Sequence, residues 1–121
     1  MPAYKAPLRD VRFLMNEVFD YPKHYASLPG GEDATPDLID AILDECAKYC
    51  EEVLAPINQS GDQEGCHFDD GVVTTPKGFK EAYDQYVAGG WQGLNYPTEF
   101  GGQGLPMSLA LLKAEMMGTA N

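Results

Sequence analysis

Trp91-Gln92-Gly93-Leu94-Asn95-Tyr96-Pro97-Thr98-Glu99-Phe100-Gly101-Gly102-Gln103-Gly104-Leu105 is the stretch that decides how the chain is read. Glycine is dense here, yet aromatic rings and leucines interleave with it. A flexible linker would lack those large apolar groups. The stretch therefore reads as an ordered loop, in which backbone passes close to its neighbours. Phosphate cradling does not suit it. No Gly-Lys-Ser/Thr follows Gly104, and G-x-G-x-x-G would need glycine where Met107 stands. The strand that should precede a dinucleotide-binding turn is also missing.

Helical patterns lie on both sides of the loop. Pro106-Met107-Ser108 opens a last helix with Leu109, Leu111, Leu112, Met116 and Met117 apolar, and so little charge that it is expected to meet more protein. Before the loop, Thr75-Pro76 marks a helix start. Phe79, Ala82, Tyr83, Tyr86 and Val87 form its stripe, and Gly89-Gly90 ends it. Further back, Cys66-His67-Phe68 and Val72-Val73-Thr74 flank Asp69-Asp70-Gly71, which predicts a small hairpin near residues 64–75. Thr35-Pro36-Asp37 caps and starts a long helix that runs to Leu54 or Ala55, where Pro56 is expected to stop it. Val11, Leu14, Met15, Val18 and Phe19 predict a short amphipathic helix over 9–19, closed by Tyr21-Pro22. Residues 22–34 read as an ordered loop and the first eight as an extended arm. The class is mainly α.

Composition narrows the function. The chain has 121 residues, 8 Lys plus Arg against 19 Asp plus Glu, and a net charge of −11. That balance excludes sequence-independent nucleic-acid binding, which needs cations for phosphate, and docking on an anionic membrane surface. No apolar run approaches the ~20 residues of a membrane span. The start, Met1-Pro2-Ala3-Tyr4-Lys5, has no apolar core of a signal peptide, so a cytoplasmic location is expected. Residues 32–70 hold twelve acids and one base, Lys48, a run that ordinarily forms a solvated face. Cys46 and Cys50 lie four apart on a helical stripe. Together with Cys66 and His67 they could be drawn as a zinc site, but a zinc knuckle belongs in a tight loop, so core packing is the expected role and no metal ligand is assigned. Neither histidine, His24 nor His67, has a triad context, and no carboxylate pair is marked as desolvated.

Two further runs accompany the loop. Gly90-Trp91-Gln92-Gly93-Leu94 and Tyr96-Pro97-Thr98-Glu99-Phe100-Gly101-Gly102-Gln103-Gly104-Leu105 precede a helix with Glu115-Met116-Met117-Gly118, and the long helix ends in Leu54-Ala55-Pro56-Ile57-Asn58. In this combination the chain resembles the N-terminal helical domain of flavin-dependent acyl-CoA dehydrogenases. The leading segment, Tyr4 to Phe13, resembles the N-terminal extension of a bacterial subgroup, 3-methylmercaptopropionyl-CoA dehydrogenase-like. The resemblance implies a division into an extension with a short helix and loop (1–34) and a partial N-terminal helical domain (35–121), the middle and C-terminal domains being absent.

It also implies what a whole protein would do. Full-length members use FAD to convert an acyl-CoA to a 2,3-enoyl-CoA. A glutamate takes the α-proton, hydride passes to the flavin, and electrons leave through electron-transferring flavoprotein. The flavin contacts and that glutamate belong to domains outside this chain, so no catalytic or cofactor residue is carried onto any position, and the 121 residues alone are expected to be inactive and without FAD. Leu109, Leu112, Glu115 and Met116 are expected near the acyl pocket. Trp91, Pro97, Glu99, Gly101, Gly102 and Gly104 are expected to be structural. The rival expectation is a stand-alone helical module for protein interaction or dimerisation, with Leu109, Leu112, Met116 and Met117 forming an exposed apolar patch. Both readings predict self-association.

Overall fold

The computed structural model describes residues 3–121. The chain begins as an arm and enters α1 (Leu8–Arg12), which passes directly into a first π-turn, Phe13–Val18. Asp20 then takes a left-handed conformation (φ 49°), and α2 (Tyr21–Ser27) starts behind it. This corrects the loop expected over 22–34. Pro22 sits in the first turn of a helix, where its missing N–H costs nothing, and a 3-10 turn follows at Gly31–Asp33. The helix escapes the periodicity argument because Tyr25 is its one buried residue.

Thr35 caps α3 (Pro36–Tyr49) as expected, its Oγ1 accepting the Leu38 N–H at 3.3 Å. The second correction comes at Pro56. A second π-turn, Cys50–Leu54, leads straight into α4 (Ala55–Glu64), and the rod runs on through the proline. The wider turn resets the hydrogen-bond ladder, so Pro56 falls in the first turn of the following helix. Residues 36–64 thus form one rod about 43 Å long at 1.5 Å per residue.

The expected hairpin is present. β1 (His67–Asp69) pairs antiparallel with β2 (Val72–Thr74), and Phe68 faces Val73. Asp70 (φ 45°) and Gly71 (φ 80°) supply the two positive φ values that a tight two-residue turn needs. The next helix, α5 (Phe79–Ala88), starts three residues later than Thr75-Pro76 suggested, behind Gly78. A turn from the Pro76 carbonyl to the Phe79 N–H comes first. Short 3-10 turns at Trp91–Gly93 and Thr98–Phe100 lead to α6 (Met107–Ala120).

Helix α6 is the central element and packs on α3 and the second π-turn. Leu109, Met116 and Ala120 meet Leu43, Cys46, Cys50 and Leu94 in the core. Leu109 is 1% exposed and Met116 2%, so neither can belong to the exposed patch that the interaction-module reading required. The reason is that α6 is apolar on nearly every side, and its inner face already has a partner in α3. Two amides fasten its end. Asn58 Nδ2 donates to the Ala120 carbonyl at 3.1 Å, and Asn121 Nδ2 to the Leu54 carbonyl at 3.0 Å.

Candidate functional site

The glycine-rich loop is folded back on itself by its own amides. Gln103 N–H donates to the Gly93 carbonyl (2.8 Å), Gly104 N–H to Tyr96 (2.9 Å) and Leu105 N–H to Leu94 (3.1 Å). Gly101 and Gly102 donate to Thr98 and Pro97. Every amide from Gly101 to Leu105 is therefore already used, and none is free to cradle a phosphate. A Cβ on Gly102 would collide with the Tyr96 carbonyl, which is why this position is glycine. Gly101 (φ 81°) and Gly104 (φ 66°) make the two bends.

Lys113, on α6, holds the other edge of the loop. Its Nζ donates to the Trp91 carbonyl at 2.8 Å and to the Tyr86 hydroxyl at 3.3 Å, and lies 5.5 Å from the centre of the Tyr86 ring. Trp91 packs against the core, while Glu99 and Pro97 are exposed on the outer turn. Gln103 Nε2 closes the loop onto the Gly90 carbonyl at 3.0 Å.

The α6 residues expected near an acyl chain divide. Leu109 and Met116 are in the core. Leu112 and Glu115 line an open groove of about 410 Å³ between α6 and the α1/first π-turn segment, with Val11, Leu14, Phe19 and Ser108. The groove wall is braced by a 2.5 Å hydrogen bond between the Tyr25 and Ser108 hydroxyls, and burial raises the Tyr25 phenol above its ordinary pKa. The two carboxylates on this groove, Asp10 and Glu115, give it a negative rim.

Two ion-pair clusters fix the N-terminal segment to the rod. Arg12 donates to Asp40 (2.5 Å) and Asp44 (2.6 Å), and these contacts raise its pKa. Glu51 accepts from Lys5 Nζ (2.8 Å) and the Ala6 N–H (2.9 Å), which hold its carboxyl below the usual range. Cys46 and Cys50 are buried, and the neighbouring Cys50 and burial push the Cys46 thiol above its ordinary pKa. Cys66 and His67 are exposed at the hairpin. Among the described residues, no three His, Cys, Asp or Glu side chains converge where a metal ion could bind.

Residues 37–121 match the family described as Acyl-CoA dehydrogenase, N-terminal domain. The chain belongs to the acyl-CoA dehydrogenase family. It is 37% identical over 118 residues to 3-methylmercaptopropionyl-CoA dehydrogenase of Ruegeria pomeroyi, which covers 98% of this chain and 20% of that protein. It is 36% identical over 90 residues to butyryl-CoA dehydrogenase of Syntrophomonas wolfei, covering 72% of this chain and 15% of that protein. The chain thus spans a fifth or less of the length of these curated relatives.

The family is one of flavoproteins, and the amides from Gly101 to Leu105 are not free to hold a flavin dinucleotide. Its pyrophosphate needs cations or free amides. The amides from Gly101 to Leu105 are spent, Arg12 is held by two aspartates, Lys5 by Glu51 and Lys113 by a carbonyl and a hydroxyl, while Arg9, Lys23, Lys48 and Lys77 make no ion pair among the described residues. The grooved face offers carboxylates instead. No helix among the described residues is long and apolar enough to cross a membrane.

Proposed function

We propose that residues 35–121 are part of the N-terminal helical domain of an FAD-dependent acyl-CoA dehydrogenase, with residues 1–34 as an extension before it, and that the 121 residues alone do not turn over acyl-CoA. The observation that carries this reading is the family match over 37–121 in a chain spanning about a fifth of its relatives' length. In the whole protein the reaction is α,β-dehydrogenation of an acyl-CoA to a 2,3-enoyl-CoA, FAD is the cofactor, and electron-transferring flavoprotein takes the electrons. All three are assigned to the parts of the relatives that this chain does not span.

This chain's own residues have a supporting role. The latched loop and Lys113 set the position of α6, and α6 presents Leu112 and Glu115 on its groove side, where they remain the candidates for closing an acyl pocket. Leu109 and Met116 support that face from the core. The remaining domains, and further subunits, are the expected partners of the exposed apolar residues Leu14, Phe19 and Leu111. These same residues favour the second reading, a stand-alone dimerisation module.

An anaerobic assay of the 121-residue chain with acyl-CoAs, FAD and an artificial electron acceptor tests the first reading. No reduction of the acceptor is expected, and sustained turnover overturns it. Light scattering across a concentration series tests the second. A monodisperse monomer at high concentration removes it.

A further inference from the structure

Cys46 and Cys50 stand one turn apart on the face of the rod that meets α6, and both are sealed, at 1% and 0% exposure. Cys66 is exposed. Nothing in the proposed function uses a thiol. The N-terminal arm crosses beside this pair, from Glu51, the residue after Cys50, to Met116 on α6. Tyr4, Ala6 and Leu8 are half-buried and pack on the core cluster that holds both cysteines, while Ala3, Lys5 and Pro7 between them are exposed. The arm is thus an extended segment with one face on the core.

Side chains do most of the work of holding it. Tyr4 hydroxyl donates to the Met116 carbonyl at 3.2 Å and accepts from Thr119 Oγ1 at 3.1 Å, which fixes the arm to the end of α6. Glu51 takes the Ala6 N–H on one oxygen and Lys5 Nζ on the other, which fixes it to the second π-turn, next to Cys50. Among the described residues, no main-chain to main-chain hydrogen bond ties residues 3–6 to the rod or to α6. An open groove of about 840 Å³ runs along the outer edge of the arm, lined by Lys5, Glu51, Ala55 and Asn58, so the arm can swing outward without displacing a helix. A segment with these properties belongs to the low-stability end of a fold's local openings.

We infer that residues 3–8 form a strap over the Cys46/Cys50 pair, clamped by Glu51, and that releasing the clamp opens the thiols to solvent while the helices stay folded. The strap also joins the π-turn, held through Glu51, to the end of α6, held through Tyr4.

Iodoacetamide labelling of the 121-residue chain, mapped by mass spectrometry, tests this. A thiolate sulfur displaces iodide to form a carbon–sulfur bond, and the thiol proton passes to buffer. Glu51→Ala removes both acceptor oxygens and Lys5→Met only the ion pair. Labelling of Cys46 and Cys50 is expected to rise about tenfold in Glu51→Ala and less in Lys5→Met. Cys66 serves as the internal reference and keeps its rate. The rise should depend weakly on dilute urea, because local opening exposes little surface. Unchanged labelling of Cys46 and Cys50 in Glu51→Ala overturns the strap. So does a rise as steep in urea as global unfolding, since then the whole fold opens. If Glu51→Ala does not fold, Lys5→Met decides by the same readout. A rise confined to Cys46 and Cys50 supports the strap, and no rise overturns it.

Discussion

Two segments outside the helices carry apolar side chains and glycine turns, and they are used in opposite ways. In the loop 91–105, Leu94 and Leu105 are buried, and the amides from Phe100 to Leu105 bond inward. In the hairpin 67–74, every residue is exposed, including Phe68 at 75% and Val73 at 64%. Both combine large apolar side chains with glycine. The difference is in what the glycines permit. Gly102 lets one backbone strand lie against the Tyr96 carbonyl, so the loop is held by close approach. Gly71 only supplies a positive φ, so it shapes a turn and fastens it to nothing. A glycine that permits contact is tied to the core; one that permits curvature can serve a segment standing away from it.

The largest expected effect is at the pinned end of the comparison. Leu94→Ala empties a site that is 1% exposed, beside Leu109 and Met116. It should cost about 2–5 kcal/mol, read as a lower urea midpoint with unchanged slope. Gly102→Ala comes next. The new methyl meets the Tyr96 carbonyl, which Gly104 also needs, and the loop must open to admit it. The cost should be about 1–3 kcal/mol in the same unfolding experiment. A neutral Gly102→Ala would show that the loop has slack, and the contrast with the hairpin would weaken.

Much of the fold is legible in the sequence wherever the signal is local. Thr35-Pro36 names the start of the long helix, Asp70-Gly71 the hairpin, and Gly89-Gly90 the end of α5. The misreadings occur where a proline has company. Pro22 and Pro56 both look like stops; the first helical run does end before Tyr21, but each proline also lies in the first turn of a helix, one behind a left-handed Asp20 and one behind a π-turn, and neither device leaves a mark on apolar periodicity. The supporting residues around the loop and arm were missed for another reason. Lys113, Glu51 and Asn58 bond to backbone atoms 22, 45 and 62 residues away, and sequence spacing says nothing about such partners. The family resemblance rested on the loop, and there the match over 37–121 agrees with it.

The smallest expected effect is at the free end. Phe68→Thr keeps a residue suited to a strand and removes a ring that is 75% exposed, so its cost should stay within about 0.5 kcal/mol. This is the sharpest test of the comparison, because an isolated two-stranded hairpin is marginally stable in water. If the urea midpoint of Phe68→Thr falls as far as that of Gly102→Ala, the ring is covered in solution. The body of this domain does not cover it, so the cover must come from a second copy, and the loss must then grow with protein concentration. A small loss that is the same at every concentration keeps the hairpin as a turn-defined projection, stable without a partner and opposite in kind to the latched loop.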